Sequence, residues 1–402
     1  MNTLLQIEEP SATPLSSKDF ALFRLGFRPF FLFGAIFSFI ALSYFILWIS
    51  GAVIAWHSAW SAVEWHRHEM LFGYAGAIIA GFLLTAVPNW TGHPTPKGKM
   101  LALLVLLWLA GRVMLFFSAH LPDMLVAAVD VSFFLACAAA LLPALIKSRN
   151  RRNYSFVALL ALLALANGMT HWESVDNTNI ADMGIRLGLN IIILIMVVIG
   201  GRVIPFFTEK PLGISIRRNP MIERLTLSTT IAALILDVVE AQGTVLGIAF
   251  MLAAIANGWR LLQWRSMKTL GIPLLWVLHA GYAWLVIGFA TRAAYYLGFS
   301  VPVTIATHAF TAGGIGVLTL GMMARVSLGH SGRKLAVGKA MVAAFICVNL
   351  AAIFRVFGVW AFPNITMHLL ECAAALWLLA FGIFIVIYTP ILIRTRLDGK
   401  DG

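Results

Sequence analysis

Charge is what this chain has least of: Lys, Arg, Asp and Glu together make up 11% of its 402 residues, where a soluble domain carries roughly a quarter. With 60% of the residues hydrophobic, that shortage excludes an ordinary water-soluble fold. Cysteine is scarce as well. Cys137, Cys347 and Cys372 stand alone, so there is no CxxC zinc pair, no disulfide framework and no CxxCH for covalent haem. A c-type cytochrome is excluded, and any haem would be held non-covalently. Phosphate loops, dinucleotide glycine fingerprints and nucleophile elbows are missing too. The first 26 residues are polar, contain two prolines and lack the apolar stretch of a cleaved signal peptide.

What the chain has instead is apolar runs of about 20 residues, each long enough to cross a hydrocarbon core of roughly 30 Å. Their Pro, Gly and charged breaks divide the sequence into twelve expected spans. These cover about 27–50, 67–88, 99–119, 122–147, 154–171, 184–207, 221–239, 243–262, 272–297, 301–327, 335–357 and 364–393. The expected fold class is all-α, a polytopic membrane helical bundle of about twelve transmembrane helices. Residues 27–393 form a single transmembrane domain between tails at 1–26 and 394–402.

The net charge of +12 would suggest nucleic acid in a soluble protein. Here the basic residues fall in alternate loops: Lys97 and Lys99; Lys147, Arg149, Arg151 and Arg152; Lys210, Arg217 and Arg218. Arg260, Arg265 and Lys268, then Arg333, Lys334 and Lys339, and the tail with Arg394, Arg396 and Lys400 continue the series. One intervening loop carries only acids (Glu173, Asp176, Asp182), and Arg67 beside a helix start is the exception. That alternation is the positive-inside rule. The partner it implies is the lipid bilayer, not nucleic acid, with both N- and C-termini expected in the cytoplasm.

Five of the ten histidines then fall at one membrane depth on the opposite, outer side: His66 and His68, His171, His308 and His368. Imidazole is rare in hydrocarbon and is the commonest metal ligand, so these five are the candidate metal ligands. The alternative is a set of interfacial histidines bonded to lipid headgroups. His66 and His68, two apart, lie about 200° apart on a helix and cannot serve one ion from regular helix. Either the helix begins after His66, or each faces a different centre.

A haem also needs room. Ala312 and Gly316 follow His308 at one-turn steps, with Gly313 and Gly314 beside them; Gly73, Gly76, Ala77 and Gly81 follow His68. Close helix–helix contact through small residues is the competing explanation. Haem propionates want cations, and Arg67, Arg186, Arg292 and Arg355 lie near outer helix ends, although Arg67 and Arg186 would more readily snorkel. His68 and His308, with Arg292 and Arg355, are therefore the candidate cofactor-binding residues. Glu371 lies one turn from His368 and would orient it, and Cys372 offers sulfur, a soft ligand suited to copper. Trp56, Trp60, Trp65, Trp172 and Trp360 read as an interfacial belt, and Arg112 and Arg202 as structural. Asp130, Asp237 and Glu240 are functional candidates by virtue of being acids in or near spans.

Four stretches carry a resemblance. RLGFRPFFLFG, EWHRHEMLFGYAGAIIAGFLLTAVPNWTG, GGRVIPFFT and ARVSLGHSGR together resemble the NnrS family over nearly the whole chain. The resemblance implies a multi-pass protein of the bacterial inner (cytoplasmic) membrane that contains haem b and copper and protects against nitric oxide stress in denitrification. Residues it carries over are His66, His68, Glu69, Arg202, Arg325 and His330. It leaves the reaction open. The expected partner is nitric oxide, bound or turned over, and the enzymatic form is an oxidoreductase reducing it with electrons from quinol. A haem or copper carrier or assembly factor is the second reading, and a solute transporter the third. Haem–copper oxidase subunits are a more distant comparison, from which this chain departs: its HxH starts the second span, and it has no adjacent His–His pair and no His-x-x-x-Tyr.

Overall fold

Inside a bilayer no water is available to satisfy backbone N–H and C=O groups, so an apolar run can cross only as a helix or in a closed barrel. The structure, a computed structural model describing residues 20–53, 55–172, 180–216 and 218–399, is helical throughout its apolar runs. The helices are α1 (Phe27–Ile49), α2 (Ala62–Thr91), α3 (Lys99–Phe116), α4 (Asp123–Lys147), α5 (Arg151–Thr170) and α6 (Ile180–Leu212). They continue as α7 (Pro220–Val238), α8 (Gly243–Gln263), α9 (Pro273–Tyr296), α10 (Val303–His330), α11 (Lys339–Ala361) and α12 (Pro363–Ile393). Glu173, Asp176, Arg217 and Lys400, and most of the N-terminal tail, lie outside the described residues.

Eleven of the twelve are long and apolar enough to cross a membrane. The twelfth, α7, carries Glu223, Arg224 and Asp237, yet the count requires it. The N–H of Ala21 donates to the carbonyl of Ile393 at 2.7 Å, so the chain leaves the bundle on the face where it entered, after an even number of crossings. That surface is termed the terminal face below, and the opposite one the histidine face. Consecutive helices pack side by side, and α12 returns to α1 to close the ring. The most enclosed helix is α2, followed by α10, α6 and α9.

The structure moves one important boundary. Helix α2 begins at Ala62, five residues before the expected 67, because Ser61 caps it. The Glu64 N–H donates to Ser61 Oγ at 3.3 Å, and the Ser61 N–H donates to Glu64 Oε2 at 2.9 Å. This reciprocal box satisfies two of the N–H groups orphaned at a helix start, and its signal, Ser-x-x-Glu before an apolar run, is legible in the sequence. Both histidines of the HxH therefore sit on formed helix and point to different sides of it.

The small residues below those histidines serve packing. A Cβ at Gly313 would collide with the ring of Trp284, and one at Gly316 with Trp377. Gly76 is covered by Phe134 and Gly81 by Phe30, each at 2.7 Å from where a Cβ would stand. The two faces expected to leave room for a macrocycle are filled by aromatic rings of neighbouring helices, the close contact that small residues permit.

Candidate functional site

The described residues contain three π-helical segments, and each adjoins a candidate residue. Glu69–Ala75 follows His68 directly, Ala309–Ile315 follows His308, and Phe354–Gly358 contains Arg355. A π turn widens the helix by one residue and re-aims the side chains beside it, which is why such turns gather at functional sites. Here they break the regular ladder of α2, α10 and α11 at the same end of the bundle.

One group of side chains converges on His68, which is fully buried. Asp130, from the first part of α4, places Oδ2 3.1 Å from His68 Nε2 and 3.1 Å from His171 Nε2. Asn167, one turn before His171 at the end of α5, has Oδ1 2.8 Å from His68 Nε2. Glu69 Oε1 lies 3.3 Å from His68 Nδ1. Arg112 on α3 ties the carboxylates together: its Nη1 donates to Glu69 Oε1 at 2.8 Å and its Nη2 to Asp130 Oδ1. The indole of Trp60 meets the rings of His68 and His171 edge-on, both at 5.0 Å.

These donors suit one metal ion. Ligand atoms of His68, Asp130 and His171 all lie within 4.8 Å of one another. Ligands bound at about 2.1 Å in tetrahedral or octahedral array stand roughly 3 Å apart, close to the 3.1 Å separations here. Charge agrees. Two carboxylates against the one guanidinium of Arg112 call for a further positive charge, which a metal ion or a proton on His68 would supply. Among the described residues, Oε2 of Glu69 and Nδ2 of Asn167 are buried with no hydrogen-bond partner, a cost proteins rarely carry without purpose. Two imidazoles and a carboxylate, with no sulfur, select a borderline transition metal.

A second group forms on the other side of α2. The His66 ring stacks on Phe45 at 4.0 Å with 11° between planes, and its Nδ1 is buried without a partner among the described residues. Among the described residues, the His308 side chain has one hydrogen-bonding contact, Nδ1 to the Thr304 carbonyl at 2.8 Å, which leaves its Nε2 available. His66 and His308 lie within electrostatic reach of one another and of Arg355. Among the described residues, Arg355 has no acidic or hydrogen-bonding partner. Two imidazole nitrogens and an unpaired guanidinium are a fitting donor set for a non-covalent haem, whose ring would have to lie clear of the face below His308 that Trp284 and Trp377 fill.

The remaining candidates are elsewhere. Arg292 does not face the histidines: its Nη2 pairs with Asp237 Oδ1 at 3.2 Å, in a cluster with Asn190 and Tyr296. Arg67 pairs with Asp182 at 2.6 Å and Arg186 with Glu240 at 2.5 Å. His368 is 80% exposed beside Glu371, 3.5 Å away, and Cys372 is exposed one turn on; neither reaches the two groups. Sequence reasoning missed Asn167 and the part of Trp60, and it set Arg112 aside as structural. The available signals were Asn167-x-x-x-His171, a polar pair on one helix face, and an Arg within an apolar run, whose counter-charge must lie nearby.

The profile of the NnrS protein family matches residues 21–396, and among curated proteins none matches the chain. The chain belongs to the NnrS family, which places it among nitric-oxide-related membrane proteins.

Proposed function

With NnrS membership as premise, we propose that this protein binds nitric oxide at a buried transition-metal centre held by His68, Asp130 and His171. A neighbouring haem b would be held by His66 and His308, with Arg355 meeting a propionate. Copper is the metal that the imidazole-rich donor set and the family together favour. The observation that carries the reading is the pair of 3.1 Å separations from one carboxylate oxygen to two imidazole nitrogens in a buried pocket. Bound metal would supply an open coordination position to a diatomic ligand.

The chain's own residues do the rest. Arg112 fixes Asp130 through Oδ1 and so leaves Oδ2 facing the two histidines. Glu69 holds the far nitrogen of His68, setting which nitrogen is presented, as outer partners of metal-bound imidazoles do. Trp60 covers both rings and keeps water out. Nitric oxide is small and apolar, dissolves in lipid, and needs no polar channel to arrive.

The test is the visible spectrum and metal content of the purified protein, reduced and then exposed to nitric oxide. A haem band and bound copper, with a spectral shift on adding nitric oxide, are expected. A colourless, metal-free preparation would overturn the reading. Haem or copper that ignores nitric oxide would also overturn it, in favour of a carrier.

A further inference from the structure

Three of the sequence stretches noted above deliver residues to a place remote from the histidines. VPNWTG ends α2, GGRVIPFFT lies in the last turns of α6, and ARVSLGHSGR ends α10, all on the terminal face. Between them is a cavity of about 460 Å³, within the range of small-molecule pockets. Its walls are aromatic, from Trp90, Phe206 and Phe207, and its polar lining is Asn89, Arg202, His330 and Thr85, the last with its hydroxyl already bonded to the Phe27 N–H and the Gly81 carbonyl.

The walls are braced from behind. Trp90 stacks on Phe156 at 5.5 Å with 25° between planes. Arg202 lies over that same Phe156 at 5.6 Å and donates Nη1 to Asn153 Oδ1 at 2.8 Å. Phe207 carries the guanidinium of Arg325 at 4.0 Å. Held in this way, the lining loses little freedom when a ligand enters.

Hydrogen-bonding capacity is left over on both sides of the exchange. Asn89 donates to the Thr85 carbonyl at 3.2 Å, but its Oδ1 accepts nothing among the described residues. The other N–H groups of Arg202 and the ring nitrogens of His330 likewise have no hydrogen-bond partner there; the His330 ring stands 5.7 Å from the Phe27 ring, and its carbonyl accepts from Arg396. A ligand that fits must be flat and aromatic, and must both accept from a guanidinium and donate to an amide oxygen.

We propose that this cavity binds the ring of a quinol. The ring would lie against the aromatic walls, an oxygen would accept from Arg202, and a hydroxyl would donate to Asn89. A lipid phosphate is a poorer match, because the lining offers one guanidinium, already partly committed to Asn153. Binding here is separate from the metal centres on the opposite face, so it can fail while they stand, and the reverse.

The test is calorimetric titration of the purified full chain, in phosphatidylcholine nanodiscs, with a decyl-substituted benzoquinol. Saturable binding is expected, weakened roughly tenfold or more by Arg202→Gln or by Phe206→Ala. Phe206 is 62% exposed, so its truncation leaves the packed interior intact and keeps the test informative if Arg202→Gln fails to fold. Absence of saturable binding, binding unchanged in both variants, or displacement by phosphatidylglycerol would overturn the proposal, the last by assigning the cavity to a lipid headgroup.

Discussion

Asp130→Ala is expected to destabilise the protein by about 3–5 kcal/mol, the cost of leaving one member of a buried ion pair without its partner, and to remove the bound metal. Both effects have one origin. Among the described residues, Asp130 is the only side chain that touches Arg112, His68 and His171 together, so its loss leaves the guanidinium with Glu69 alone and takes the oxygen from between the two nitrogens. Asp130→Asn separates the two effects. The amide keeps the shape and a hydrogen-bonding oxygen, but it loses the negative charge that a cation needs. Thermal unfolding in detergent, alongside metal analysis, checks both variants. Asp130→Ala that melts with the parent and retains its metal would show that the cluster is neither a structural keystone nor a metal site.

The second large effect concerns the other group. His308→Ala should abolish the absorption of bound haem, because the lost imidazole has no nearby replacement: His68 and His171 are engaged with Asp130, and His368 is exposed and apart. Arg355→Gln should act more mildly. Loss of a charge-assisted hydrogen bond, about 1.5–3 kcal/mol, corresponds to roughly 10- to 150-fold weaker haem retention. Absorbance titration of haem into the apoprotein reads both. Full haem occupancy in His308→Ala would remove His308 from the ligand set, and unchanged affinity in Arg355→Gln would remove Arg355.

Much of this architecture was legible in the sequence because the bilayer leaves so little choice. An apolar run of 20 residues becomes a helix, and loop punctuation sets the count, so most span boundaries fall within a few residues of the observed helices. The start of α2 was misplaced because hydropathy cannot see a polar first turn; the Ser61–Glu64 box, which does mark it, is short-range chemistry. The histidine layer was legible as depth, since depth follows from rise per residue.

Lateral neighbours were not legible. Nothing in the spacing of Arg112, Asp130 and Asn167 says that α3, α4 and α5 bring them to one point, and Arg292 sits at the right depth while facing Asp237 instead of the histidines. The glycines below His308 illustrate the same limit. Small residues signal that something approaches closely, and only the structure identifies it as Trp284 and Trp377.

The central claim is that the two histidines of one HxH, on opposite sides of α2, serve two different centres. Haem and copper content, determined side by side in purified His66→Ala and His68→Ala, addresses it directly. The account predicts a split: His66→Ala loses haem and keeps copper, whereas His68→Ala loses copper and keeps haem. Loss of the same cofactor from both variants, with the other retained, would contradict it.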